Sequence, residues 1–141
     1  MKILIAIDGS DNALRAVNYV IDLVGQFRHV SNVTLISVHD DTGLRHAEGA
    51  LGNQEVANFL HQISEEALKP AEALFKSASI NCVNEIRVGH VAQQIVEFAD
   101  ENLFDIVVMG VKGRGAFVDM IVGSVAQRVS AMTKQAVLLI K

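Results

Sequence analysis

The sequence predicts an α/β protein in which a parallel five-stranded sheet lies between two layers of helices. Short apolar runs alternate along the chain with segments whose apolar residues recur every three or four positions, the pattern of repeated strand–helix units. The runs Lys2–Ile7 and Asp105–Met109 are almost wholly apolar, as expected for central strands that are covered on both faces. Placing these two side by side, with right-handed crossovers to the others, gives the strand order 3-2-1-4-5.

The three remaining strand candidates fill the outer positions of this sheet. Val33–Val38 is mixed, Cys82–Val88 alternates polar and apolar residues, and Ala136–Ile140 closes the chain. The alternation in Cys82–Val88 is typical of a strand near an edge. Ala136–Ile140 also lies at an edge in this order, yet it contains no charge or proline to protect that edge from pairing.

Four helical patterns separate the strands. The first has Ser10 as its N-cap residue and Gly25 near its end. The second is long and contains Pro70, the single proline of the chain, which we expect to kink or split it. The third and fourth are shorter and are indicated by the apolar positions Ile95, Phe98, Ala99 and Val125, Val129, Met132.

Composition limits the classes of protein that this chain can be. Its 141 residues fit a single domain spanning 1–141, and the formal net charge of −4 argues against a nucleic-acid surface. No apolar run is long enough to cross a membrane, so no membrane partner is expected. The single cysteine, Cys82, cannot form an internal disulfide, which favours the cytoplasm. The five histidines lack the spacing of metal ligands, so we expect no metal site.

The most informative segment is the glycine-rich stretch after the fourth strand. It has the spacing Gly110-x2-Gly113-x9-Gly123-Ser124. Glycines let backbone N–H groups approach phosphate oxygens closely, and the helix that follows adds unpaired donors and a positive dipole end. We expect Ser124 to be the N-cap residue of that helix. The segment favours phosphate binding, although a glycine-rich connection that only turns the chain would look similar.

Charged residues around this loop each have two interpretations. Lys112 and Arg114 either screen a polyphosphate or are solvated loop cations, and Asp119 either reaches a phosphate-bound Mg²⁺ or is an exposed carboxylate. Asp8 ends the first strand, where it either belongs to a turn and cap cluster or accepts a hydrogen bond from a ribose hydroxyl or base amine. The predicted strand order places Asp8 and the Gly110 loop at one crevice, the topological switch point where open α/β sheets bind ligands.

Two other nucleotide-binding patterns are absent. The Walker pattern requires a lysine before the final Ser or Thr, and none precedes Ser124. The Gly-x-Gly-x-x-Gly fingerprint of dinucleotide-binding proteins is also missing. A P-loop NTPase or a dehydrogenase is therefore disfavoured.

Taken together, the chain resembles the universal stress protein family, in the subclass that carries an ATP-binding motif. The resemblance includes Ile3–Ser10, the pair Val38-His39, the pair Val88-Gly89 and the whole glycine-rich loop. It implies a Rossmann-like fold similar to that of the adenine nucleotide alpha-hydrolases. The chain departs from the family near its end, where Lys134-Gln135-Ala136 stands in place of a frequent Cys-Pro.

The resemblance implies that ATP or AMP is the ligand, with any Mg²⁺ bound through the phosphates. Asp8 and Val38 would face the nucleoside, Gly110 would pack against the ribose, and the later part of the loop would hold the phosphates. The implied nucleotide contacts are Ala6, Asp8, Val38, Met109, Gly110, Gly113, Gly123, Ser124 and Val125, with Lys112 and Arg114 as phosphate-screening candidates.

The function expected from this resemblance is a cytoplasmic ATP/AMP-binding protein of stress response or regulation. It is not expected to be an enzyme, beyond slow hydrolysis of bound ATP, because no nucleophile–base pair or arginine finger is recognisable. One alternative is an adenylyl-transferring enzyme, although Asp8–Asp11 lacks the Ser-Gly-Gly loop usual in such enzymes. The other is a nucleotide-independent, chaperone-like dimer, against which the intact loop argues. We also expect a homodimer through Ala136–Ile140.

Overall fold

The computed structural model shows the predicted sheet in the predicted order. It describes residues 1–26, 30, 32–40, 53–113 and 121–141. All neighbouring strands are parallel, and the five-stranded sheet has the order β3-β2-β1-β4-β5. The elements are β1 (Lys2–Ala6), α1 (Asp11–Gln26), β2 (Asn32–His39), α2 (Asn53–Ser77), β3 (Val83–Val88), α3 (Val91–Glu101), β4 (Ile106–Gly110), α4 (Ser124–Met132) and β5 (Ala136–Ile140).

Each face of the sheet is covered by one pair of helices. Successive side chains of a strand point to opposite faces, so the apolar run of β1 supplies both cores. Ile3 and Ile5 pack under α1 and α2, whereas Leu4 packs under α3 and α4 together with Val107 of β4. All four side chains are fully buried. The continuous apolar pattern of β1 and β4 therefore predicted their central position correctly.

The edge strand β3 carries charged residues that suit its exposed position. The guanidinium of Arg87 lies 3.1 Å from the Glu85 carboxylate and 2.9 Å from that of Glu101. It also stacks over the ring of Phe98, 4.7 Å from the ring centre. Charges along an edge discourage pairing with another strand, so β3 is a protected edge.

Pro70 does not split α2, which runs as one helix from Asn53 to Ser77. The expectation of a split was wrong because the lost hydrogen bond involves only the carbonyl of Glu66, on an exposed turn. Apolar side chains on both sides of the proline, Leu60 before it and Phe75 after it, are buried and hold the helix on the sheet.

Despite its length, neither α2 nor another helix in the described part of the chain is apolar enough to span a membrane.

The first turn of α1 packs directly on the end of β4, and Gly110 permits this contact. A Cβ atom on Gly110 would lie 2.7 Å from Cβ of Asn12, 2.8 Å from its carbonyl carbon and 3.0 Å from the nitrogen of Ala13. Two of these atoms are backbone and cannot rotate away. The Asn12 amide then donates a hydrogen bond of 3.1 Å to the carbonyl of Lys112. The start of α1 is thereby fixed against the chain that leaves β4.

We expect the substitution Gly110→Ala to lower the free energy of unfolding by roughly 1–3 kcal/mol, because the added methyl group pushes the α1 backbone off β4. Gly25→Ala is the matched control, since a Cβ there meets nothing within 4 Å and alanine favours a helix by about 0.5–1 kcal/mol. Chemical denaturation of both variants measures the difference. If Gly110→Ala is as stable as the wild type, the contact is not as tight as described.

Candidate functional site

A cleft of about 520 Å³ lies at the carboxyl ends of β1, β2 and β4, beside the first turns of α1, α3 and α4. The connection after β1 runs through α1 on one face of the sheet, and the connection after β4 runs through α4 on the other. The cleft is therefore at the topological switch point, where α/β proteins of this type bind ligands. The strand order predicted this location.

The sequence-predicted site residues that the structure describes come together at this cleft. Arg114 and Asp119 lie outside the described residues. Lys112, the other predicted phosphate-screening residue, does line the cleft. So do all nine residues expected to contact a ligand, namely Ala6, Asp8, Val38, Met109, Gly110, Gly113, Gly123, Ser124 and Val125.

Asp8 combines a structural role with a position on the cleft. Its Oδ1 accepts a hydrogen bond of 2.9 Å from the backbone N–H of Ser10, across Gly9, whose φ of 74° suits glycine. The hydroxyl of Ser10 in turn accepts one of 3.2 Å from the N–H of Ala13, which confirms Ser10 as the N-cap residue of α1. The other carboxylate oxygen, Oδ2, lies beside Gly113, where an added Cβ would be only 2.5 Å away. The turn therefore holds the Asp8 carboxylate against the glycine-rich loop.

Two backbone hydrogen bonds fix the ends of the glycine-rich loop. The N–H of Val111 donates to the carbonyl of Ile140 at 2.7 Å, which attaches the start of the loop to β5. The N–H of Gly123 donates to the carbonyl of Val111 at 2.8 Å. The start of α4 is thus fixed beside the end of β4.

The N-cap residue of α4 is Gly123, and the prediction that Ser124 would cap this helix was wrong. Gly123 has extended backbone angles and accepts the hydrogen bond from the N–H of Gln127 at 3.0 Å, so Ser124 is the first helical residue. No side chain caps the helix, and only the N–H of the N-cap residue itself is bonded, to the carbonyl of Val111. Helix geometry leaves the N–H groups of Ser124, Val125 and Ala126 without intrahelical partners, and all three residues line the cleft.

Sequence reasoning missed the apolar wall of the cleft. Ile36 of β2 and Ile95 of α3 are buried, and Val91, at the start of α3, is half-buried. Val91 and Ile95 are one helical turn apart and share a face, which lines the cleft with Ile36. The available signal was weak, namely a helix that begins just after β3 and carries apolar residues in its first turns. This wall, together with Met109, forms a surface suited to a flat apolar ring.

The cleft holds few ionisable groups. Asp8 and Lys112 are the only ones among its described lining residues, which include no histidine or cysteine. Across the described ranges, no group of three or more His, Cys, Asp or Glu side chains is placed to hold a metal ion. The cleft therefore offers an apolar wall, one carboxylate, one ammonium group and the N–H groups of a helix N-terminus. This combination suits a ligand with an anionic end and an apolar end.

Fold and cleft together define a doubly wound α/β protein with a glycine-rich loop at its topological switch point. The model of the Universal stress protein family matches residues 1–141, and the chain belongs to that family. It is 32% identical over 141 residues to the universal stress protein MJ0531 of Methanocaldococcus jannaschii, an alignment that covers 99% of this chain and 81% of that protein.

Solved structures share the fold. The structure of the protein MJ0577 has a TM-score of 0.86 and 24% identity, covering 99% of this chain and 94% of that one. A universal stress protein in complex with cAMP has a TM-score of 0.73 and 22% identity, covering 100% and 97% of the two chains. A universal stress protein from Archaeoglobus fulgidus in complex with dAMP has a TM-score of 0.67 and 23% identity, covering 100% and 98%.

We expect Gly113→Ala to move the Asp8 carboxylate without unfolding the protein. The added Cβ would meet only the carboxylate of Asp8, which can move aside at the cost of at most its hydrogen bond from Ser10, so the free energy of unfolding should fall by about 1 kcal/mol or less. A crystal structure of the variant, with a denaturation curve, measures both effects. An unmoved Asp8 carboxylate, or a stability loss equal to that of Gly110→Ala, would contradict this account.

Proposed function

We propose that this protein binds ATP or AMP in the cleft and acts as a cytoplasmic stress-response or regulatory protein. The observation that carries the proposal is the meeting of three different surfaces at one cleft. The apolar wall can pack against a nucleobase, and the Asp8 carboxylate can accept hydrogen bonds from the hydroxyls of a ribose. The N-terminus of α4 can bind phosphates. The related proteins that bind cAMP and dAMP support adenine as the base.

In this proposal the nucleotide extends across the cleft from the wall to the glycine-rich loop. The adenine lies near the backbone of Val38, and the ribose lies between Asp8 and Gly110. The phosphates lie at Gly113 and at the residues 123–125, where backbone donors and the helix dipole stabilise negative charge. Lys112 adds a positive charge at this end, and Mg²⁺ binds through the phosphates.

The proposed role is binding without rapid catalysis. Asp8 is the only carboxylate among the described lining residues, and its Oδ1 already accepts the hydrogen bond from the N–H of Ser10. Activation of a water or a hydroxyl normally requires a positioned general base with a partner that orients it. The cleft supplies groups that hold charge, so bound ATP is hydrolysed slowly at most.

We expect Gly123→Val to weaken ATP binding by tenfold or more, about 1.4 kcal/mol. A Cβ on Gly123 would lie 3.4 Å from both the Lys112 Cα and the Val111 carbonyl oxygen. The two methyl groups of valine would therefore push the start of α4 away from the end of β4, and the phosphate donors would move. Isothermal titration with ATP measures the affinity.

Gly123→Ala is the matched control, because its Cβ makes only ordinary contacts and ATP affinity should stay close to that of the wild type. Circular dichroism establishes that both variants are folded. Unchanged ATP affinity in a folded Gly123→Val variant would contradict the proposed phosphate site.

We also propose that the protein is a homodimer through β5. Within the described sheet, β5 pairs only with β4 and leaves its other side unpaired. The residues from Val137 to Ile140 are apolar and only half-buried, and the strand carries none of the charges that protect β3. An apolar edge normally pairs or is covered, and antiparallel pairing with its own copy gives a closed two-fold contact.

We expect Leu139→Pro to convert the dimer into a folded monomer. The carbonyl of Ile140 faces β4, since it accepts the hydrogen bond from the N–H of Val111. Backbone groups alternate sides along a strand, so the N–H of Leu139 faces outward and that of Leu138 faces β4. Proline at position 139 therefore removes an outer donor, whereas Leu138→Pro damages the ladder within the monomer. Sedimentation at micromolar concentration measures the assembly, and a folded wild-type monomer would contradict the proposal.

A further inference from the structure

A second groove, of about 440 Å³, adjoins the cleft between the first turns of α3 and α4. It shares Val91, Ser124 and Val125 with the cleft. Ser124 and Val125 carry the N–H groups proposed to hold phosphate. The groove is therefore a continuation of the cleft at its proposed phosphate end, and neither Asp8 nor Gly113 lines it.

Arg128 lines this groove from the α4 side. It lies four residues after Ser124, so the two side chains share one face of the helix. Side chains of a helix lean toward its N-terminus, and one turn spans about 5.4 Å. The long arginine side chain can thus place its guanidinium over the first turn of α4. The side chain is exposed, and it forms no ion pair or side-chain hydrogen bond with the other residues that the structure describes.

The other polar residues of the groove define where an anion would lie. Asp40 lines it from the end of β2, and His90 and Gln93 line it from the start of α3. A phosphate is repelled by the Asp40 carboxylate and attracted by the guanidinium, so it would lie on the α4 side. Arg128 is the only arginine or lysine among the described residues that line the groove.

We propose that Arg128 determines specificity for the length of the phosphate chain by binding the terminal phosphate of ATP. This inference rests on the proposed function, in which a nucleotide occupies the cleft. A monophosphate ends at the N–H groups of the first turn of α4, whereas a triphosphate continues into the groove. There the planar guanidinium can donate two parallel hydrogen bonds to phosphate oxygens. AMP does not reach this group.

The test compares ATP and AMP binding by calorimetry in the wild type, Arg128→Gln and Arg128→Lys. We expect Arg128→Gln to weaken ATP binding by about tenfold or more and to leave AMP affinity within about twofold. Arg128→Lys should lie between, because lysine keeps the charge but loses the two-pronged donor. Lys69→Gln, an exposed residue of α2 on the opposite face of the sheet, controls for the change in net charge.

Equal weakening of ATP and AMP in Arg128→Gln overturns the inference, because it points to a general effect on the cleft. Unchanged ATP affinity in Arg128→Gln, or an equal loss of ATP affinity in Lys69→Gln, also overturns the inference. In each of these cases, nucleotide binding by the wild type still supports the proposed site in the cleft. If the wild type binds neither nucleotide, the proposed function fails and the role of Arg128 fails with it.

Discussion

The parallel pairing of β1 with β4 is the interaction on which the rest of the structure depends. Ile5 pairs with Val108 and Ala6 pairs with Met109, so the two strands end at the same level. The chain leaves them toward opposite faces of the sheet, and this separation opens the cleft. Because Gly110 has no side chain, the first turn of α1 can close against β4. The Asp8 carboxylate and the glycine-rich loop are neighbours as a consequence.

Different elements of the fold supply the different chemical groups of the cleft. The apolar wall comes from β2 and α3, the carboxylate from the turn after β1, and the proposed phosphate donors from the backbone of α4. Most of the polar contacts offered to an anion are therefore main-chain groups, whose positions depend on packing rather than on side-chain identity.

The sequence by itself determined the main elements of the fold and the location of the cleft. Strand hydrophobicity and helical periodicity are local signals, so they identified the central strands and, through the crossover rule, the order of the sheet. The order then placed Asp8 and Gly110 at one crevice. The family resemblance named nine nucleotide contacts by the same local motifs, and all nine line the cleft, although it did not name the apolar wall.

Only the tertiary structure decided the features that depend on contacts between distant segments. α2 continues through Pro70 because buried residues on both sides hold it to the sheet. Gly123 is the N-cap residue of α4, and the hydrogen bond from its N–H to the carbonyl of Val111 fixes it beside the end of β4. The wall formed by Ile36, Val91 and Ile95 joins two elements far apart in the chain, and the second groove joins two helices. No local sequence pattern encodes such contacts between distant segments, because they arise from the packing of the whole sheet and its helices.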